Sequence, residues 1–309
     1  MPDRGQLRKL WQLLRMDNYT NDSGSGEGNP ASYVKTTVIV NCSIVVLLII
    51  VSITGNLLVL AAIKRSPSLH SPSIIFICSL AVSDLLVGFL VQPLFIAREL
   101  TQLHLLKLPL ETTAYATCGF SLCIMTAISL DRYVALHYHL RYPTVMTTTR
   151  AVYLVACVCL INFLVAISYF WNRTAYLYIM ATGICTCLST SVAFYIRIYQ
   201  IVRRHHIQIH CLQQAVERGS AHMAMTRLKR SVMNTFLFFT VIVVCYFPKV
   251  ISLAIYYLSF ENWNNAWKFA NTAIFLNSSI NPILYCWRLR ELRTAVFNTV
   301  RQLFCRKFG

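Results

Sequence analysis

Apolar residues run along this chain in long blocks rather than short alternations. Seven blocks reach or exceed the length of about 20 residues that a helix needs to cross a bilayer core. They are Val38 to Ile63, Ile74 to Ala97, Leu108 to Leu136, Ala151 to Phe170, Tyr176 to Val202, Val232 to Leu258 and Ala266 to Trp287, the fifth and seventh being the least clean. The third block stays uncharged after Glu111 until it ends in Asp131-Arg132-Tyr133. As a helix it is roughly 43 Å long against a hydrocarbon core of roughly 30 Å, so it must tilt or project into water. Ala114, Cys118, Ser121, Met125, Ile128 and Arg132 recur in steps of four and three, which keeps them on one face of that helix.

The polar positions inside the blocks carry the chemistry. Asn56, Asp84, Ser121, Asn277, Ser278 and Asn281 fall in the middle or inner half of four spans. A carboxylate at membrane depth costs at least about 2.5 kcal/mol, so Asp84 must face the bundle interior or a hydrated cavity. Two readings stand: the groups satisfy one another between helices, or one carboxylate and several neutral oxygens bind a hard cation such as sodium. Pro93 predicts a kink toward the outer end of the second helix, and Pro248, in Cys245-Tyr246-Phe247-Pro248, a hinge in the sixth. After the last span, Leu292, Val296, Val300 and Leu303 alternate with Arg288, Arg290, Arg293 and Arg301. That spacing predicts an amphipathic helix on the inner leaflet, with Cys305 a candidate for palmitoylation and a plain free thiol the alternative.

Composition agrees. The chain has 309 residues, 56% hydrophobic and 13% charged, with mean hydropathy +0.55. The net charge of +17 could suggest nucleic acid, but most of the 28 Lys and Arg sit in clusters between the blocks, on one side. The positive-inside rule accounts for them, places the N-terminus outside and the C-terminus in the cytoplasm, and leaves no case for nucleic-acid binding. Asn18 and Asn21 head glycosylation sequons in a Ser/Gly-rich N-terminal stretch, and Asn172 heads a third on the same side. Met16 is as good a start as Met1, the residues between being basic with Leu10, Trp11, Leu13 and Leu14. Of 12 cysteines, none falls in an expected outer loop, so no disulfide framework is predicted. His205, His206 and His210 read as a solvated basic helix end rather than a metal site, and no nucleophile with a base or metal triad points to an enzyme. The expected fold is an all-α membrane protein. It has an extracellular, disordered tail over 1–33, a seven-transmembrane helix bundle over 34–287, and the short amphipathic helix with a cytoplasmic tail over 288–309.

Five motifs in order, Gly55-Asn56, Leu80 to Asp84, Asp131-Arg132-Tyr133, Cys245 to Pro248 and Asn281-Pro282-Ile283-Leu284-Tyr285, resemble the rhodopsin-like (class A) G-protein-coupled receptors over roughly Val38 to Cys305. The resemblance implies a plasma-membrane receptor that binds an extracellular ligand (peptide, lipid or other small molecule) and activates a heterotrimeric G protein, with arrestin a further candidate partner. Arg132 would be restrained by Asp131 at rest. Tyr195 and Tyr285 would swing toward it as the sixth helix moves about Tyr246 and Pro248. Asp84, Ser121, Asn277, Ser278 and Asn281 would hold an allosteric sodium ion, no other cofactor being implied. Lys107 stands where the family has a cysteine bonded to the second outer loop, Cys159 and Tyr246 where it has tryptophans, and Cys187 where it has the fifth-helix proline. These departures resemble the branch containing melanocortin, cannabinoid, lysophospholipid and adenosine receptors. No acid opens the sixth helix, which argues against an ionic lock and for basal activity. The alternative from another class is an ion-translocating channel or transporter using Asp84.

The ligand is left open. Ala114 stands where amine receptors carry an aspartate, which argues against a biogenic amine. Glu111 lies a turn above it and Lys249 follows the hinge proline; either the two neutralise each other, or Lys249 binds an anionic ligand group. Tyr115, Cys118, Ser252, Tyr256, Asn271 and Phe275 join them as pocket candidates by helical position.

Overall fold

The structure is a computed structural model and describes residues 30–66, 71–138, 141–213, 240–255 and 263–305. The expected N-terminal sequons at Asn18 and Asn21, and Tyr256, lie outside the described residues. We number the helices α1 Pro30–Arg65, α2 Pro72–Thr101, α3 Lys107–Tyr138, α4 Thr148–Ser168, α5 Arg173–Gln213, α6 Thr240–Ile255, α7 Trp263–Arg288 and α8 Arg290–Cys305. Among the described residues there is no strand. Each of α1 to α5 is long and apolar enough to cross a membrane. The helices α1 to α7 follow the seven apolar blocks in order, although α1 begins at Pro30, inside the stretch assigned to the tail.

Local chemistry fixes the helix ends. Ser71 is extended (φ −113°, ψ 154°) and Pro72 takes the first helical position of α2, where its missing N–H costs nothing. The predicted kink near Pro93 takes a particular form: residues Val87–Val91 wind as a π stretch immediately before it. Pro93 has no N–H to donate, and its ring crowds the carbonyl four residues back, at Phe89; a locally wider turn relieves that crowding. Gln102 ends α2 in the left-handed region (φ 54°), its N–H bonded to the Arg98 carbonyl at 2.8 Å. The α4–α5 connection is as short as expected. The Asn172 side-chain oxygen accepts from the N–H groups of Thr174 (3.0 Å) and Ala175 (3.1 Å), capping α5.

Burial separates centre from rim. In the most apolar window of α2, 56% of residues are buried inside the protein, against 6% in α4, so α2 is central and α4 lies largely against lipid. Close approaches tie the bundle together at two glycines. A Cβ on Gly55 of α1 would sit 2.8 Å from the Pro282 ring of α7, and one on Gly119 of α3 would sit 2.7 Å from Asn162 Oδ1 of α4. Past Leu289 the chain turns into α8, whose buried face is Leu292, Ala295 and Thr299, while Glu291, Arg293 and Phe297 are exposed. The amphipathic pattern is thus real, and its buried face packs against α1.

Candidate functional site

The polar residues expected at mid-bundle converge. Asp84, Asn56 and Asn281 are wholly enclosed, and Ser121, Asn277 and Ser278 nearly so. Asn281 Nδ2 donates to Asp84 Oδ2 at 2.8 Å, Asn56 Nδ2 to the Ser278 carbonyl at 3.1 Å, and the Ser83 and Ser121 hydroxyls share a hydrogen bond of 2.9 Å. The Ser121 and Ser278 side chains also face the Asp84 carboxyl. Mutual satisfaction is incomplete. The Oδ1 atoms of Asn56, Asp84, Asn277 and Asn281 are buried with no hydrogen-bond partner. These unpartnered atoms are all acceptors, which fits a small hard cation.

At the far end of α3, Asp131 is fully buried and gathers three donors. Arg132 Nη2 lies 2.6 Å from Oδ2, the Ser73 hydroxyl 2.8 Å from the same oxygen, and the Tyr142 hydroxyl 2.6 Å from Oδ1. Tyr142 belongs to the single helical turn Tyr142–Val145 that links α3 to α4. Burial first, then the hydrogen bond to Asp131, pushes its phenol up to about 12. Tyr133 stacks on Phe194 of α5 at 5.6 Å and on His137 at 5.5 Å, next to Tyr195.

Toward the opposite end, Glu111, Ala114, Tyr115, Cys118, Asn271 and Phe275 line one cavity, joined by Phe95, Arg98 and Trp267. Its free volume is only about 30 Å³. Lys249 of α6, itself 1% exposed, reaches three of these lining residues. Its Nζ lies 3.2 Å above the centre of the Trp267 ring, 5.6 Å from that of Tyr115, and donates to Asn271 Oδ1 at 2.7 Å. Glu111 accepts from the Tyr169 hydroxyl. Among the described residues no ion pair joins Lys249 to Glu111, so the two do not form the direct pair that was one of the two expectations. Trp267 and Asn271 compete successfully for the ammonium because they lie one helical turn apart on α7 and present a ring face and an amide oxygen together. Ser252 bonds the Lys249 carbonyl at 2.9 Å and is not part of the cavity wall. The Tyr246 hydroxyl donates to the Cys118 carbonyl at 3.1 Å, joining α6 to α3 just below the cavity.

Residues 55–174 match the family described as seven-transmembrane receptors of the rhodopsin family. The chain is also 27% identical over 305 residues to melanocortin receptor 4 of Danio rerio, covering 92% of this chain and 90% of that protein. Both similarities point to the rhodopsin-like G-protein-coupled receptors. They support a multi-pass membrane receptor over an enzyme and over the ion-translocating alternative.

The receptor's expected residues are thus partitioned by the fold into three groups along α3: the near-closed cavity, the acceptor-rich cluster and the Asp131 anchor. Tyr285 of α7 is buried, Pro282 abuts Gly55, and Tyr195 is half-buried. Cys305 is the last residue of α8. Several receptor residues escaped the sequence reading. Trp267 could have been found, being one turn from Asn271 on the same helical face. Tyr169 could not, because it stands in the turn after α4, where no periodicity applies. The part-buried ion pair of Glu99 with Lys268 (2.9 Å) and the hydrogen bond from Thr272 to Asn41 (2.8 Å) join helices remote in sequence and leave no local signal.

Proposed function

We propose that this receptor binds an extracellular ligand carrying an anionic group, and that Lys249 is the residue receiving it. Lys249 is a buried cation whose described partners are two ring faces and a neutral amide, beside a cavity that Arg98 lines. A carboxylate or phosphate would give it a charge-assisted hydrogen bond in place of those contacts. With about 30 Å³ free, a ligand enters only as the walls move, and drawing Lys249 away from Trp267 and Asn271 makes binding and rearrangement of α6 against α7 one event. Ligands shift a two-state protein only through their difference in affinity for the two states, and this displacement supplies such a difference.

At the other end, Arg132 held by Asp131 is the resting arrangement. Its release, with Tyr133, Tyr195, Tyr246, Pro248, Pro282 and Tyr285 repacking, presents Arg132 to a heterotrimeric G protein and then to arrestin. Sodium held by Asp84, Ser121, Asn277, Ser278 and Asn281 favours the resting packing. The N-terminus is extracellular, with glycans at Asn18, Asn21 and Asn172, and the C-terminus is cytoplasmic, with Cys305 acylated beside the inner leaflet. The test is a ligand screen divided into anionic, cationic and neutral compounds, read by G-protein biosensors on the wild type and on Lys249→Gln. Activators should be anionic and lose potency in the variant; activators that are equally potent on Lys249→Gln overturn the reading.

A further inference from the structure

Cys123 of α3 and Cys187 of α5 face each other with their Sγ atoms 4.0 Å apart. One turn farther toward Arg132, the Thr126 and Ser191 hydroxyls meet at 3.4 Å, so the two helices keep the same register along this seam. A disulfide needs an S–S distance of about 2.05 Å. Closing that gap of roughly 2 Å is the movement a bond between them requires. Both thiols line a cavity of about 400 Å³ between α3, α4 and α5, whose rim includes the exposed Ile161 and Ile179. Asn162 of α4 lines it too, and its Nδ2 donates to Cys123 Sγ at 3.7 Å. Nothing in the ligand cavity, the acceptor-rich cluster or the Asp131 anchor uses these two thiols.

We propose that Cys123 and Cys187 form a peroxide-oxidisable dithiol that cross-links α3 to α5. In the first step Cys123 sulfur attacks one oxygen of a hydroperoxide ROOH. The O–O bond breaks, Cys123 becomes a sulfenic acid, and ROH leaves with the thiol proton. In the second step Cys187 sulfur attacks the Cys123 sulfur, the S–O bond breaks, and water leaves with the Cys187 proton. Two thiols have then lost two electrons and two protons, and one hydroperoxide has become one alcohol and one water. Cys123 attacks first because the Asn162 amide, donating to its sulfur, stabilises the thiolate that is the nucleophile. The cross-link lies on the helices that carry Arg132 and Tyr195, so it restrains their relative motion.

The experiment uses the full chain in lipid nanodiscs, exposed either to aqueous hydrogen peroxide or to a phospholipid hydroperoxide built into the bilayer. Free thiols are blocked with N-ethylmaleimide before the bilayer is dissolved, and peptides are mapped by mass spectrometry without reduction. A Cys123–Cys187 cross-linked peptide, abolished by dithiothreitol, is expected; formation only in the second arm identifies the lipid as the source, and in both arms a diffusing peroxide. Cys187→Ser should accumulate a dimedone-trapped sulfenic acid at Cys123, while Cys123→Ser should modify Cys187 several-fold more slowly; alanine replaces serine if a variant fails to reach the membrane. Both thiols surviving while other cysteines oxidise, or oxidation of each to higher acids without a cross-link, overturns the proposal. Equal trapping in the two single variants overturns the order of attack.

Discussion

Replacing Trp267 with leucine should raise the receptor's ligand-free signalling. The indole face lies 3.2 Å beneath the Lys249 ammonium, which is 1% exposed. A desolvated cation–π contact of this kind contributes about 2 kcal/mol. Lys249 sits on α6 and Trp267 on α7, so the contact clamps those helices in the packing where Arg132 is still held by Asp131. If the clamp belongs to that packing alone, its loss shifts the resting-to-active ratio by about 30-fold, since 1.4 kcal/mol is tenfold. A receptor about 1% active would become roughly one-quarter active. Asn271 retains its hydrogen bond to Lys249 in the variant, which keeps the ammonium from being stranded. The assay is a G-protein biosensor without ligand, normalised to surface expression, on wild type, Trp267→Leu and Trp267→Phe. The phenylalanine variant keeps a smaller ring face and should fall between the other two. Basal activity unchanged or lowered in Trp267→Leu at equal surface expression would refute the clamp.

Arg132→Ala should abolish G-protein activation while leaving surface expression near the wild type, as judged by antibody staining beside a biosensor; retained signalling would count against its role. Sodium should weaken agonist binding to the wild type and leave binding to Asp84→Asn unaffected in a titration from low to physiological salt, because the substitution removes the cluster's formal charge. Equal sodium sensitivity in the two proteins would sink the cation reading. Thr174→Ala destroys the third sequon while keeping the Asn172 side chain at the α5 cap, so a glycosidase-sensitive gel shift should shrink with little change in melting temperature. Asn172→Ala should lose the shift and also about 1 kcal/mol of stability.

The helices and their order were legible because each span is a continuous apolar block, and a block needs no partner to be recognised. Asp84, Asn277 and Asn281 were legible as a cluster for a related reason: a polar side chain at membrane depth is costly alone, so several at one depth must meet. The cavity was less so. Ala114, Tyr115 and Cys118 follow from one face of α3, but the partner of Lys249 depends on how α6 and α7 are rotated against each other. That rotation places Trp267, rather than Glu111, beneath the ammonium. Periodicity gives the face of a helix and not the neighbour across it, so Tyr169 on Glu111, Asn162 on Cys123 and Tyr142 on Asp131 emerge only when the helices are packed.

The π stretch at Val87–Val91 has one more consequence. An extra residue within a turn advances the phase of everything beyond it by about 100° around the helix axis. Beyond it, Gln92, Phe95 and Glu99 all turn inward, where Glu99 meets Lys268 and Phe95 packs edge-on against Phe275. The inner half, with Asp84, is phased separately and is indifferent to that rotation. Deleting Gly88 should therefore swing Glu99 and Phe95 out of their contacts while Asp84 stays in place. The second helix thus works as two faces on independent dials, and the mouth of the receptor can be re-aimed without disturbing its centre.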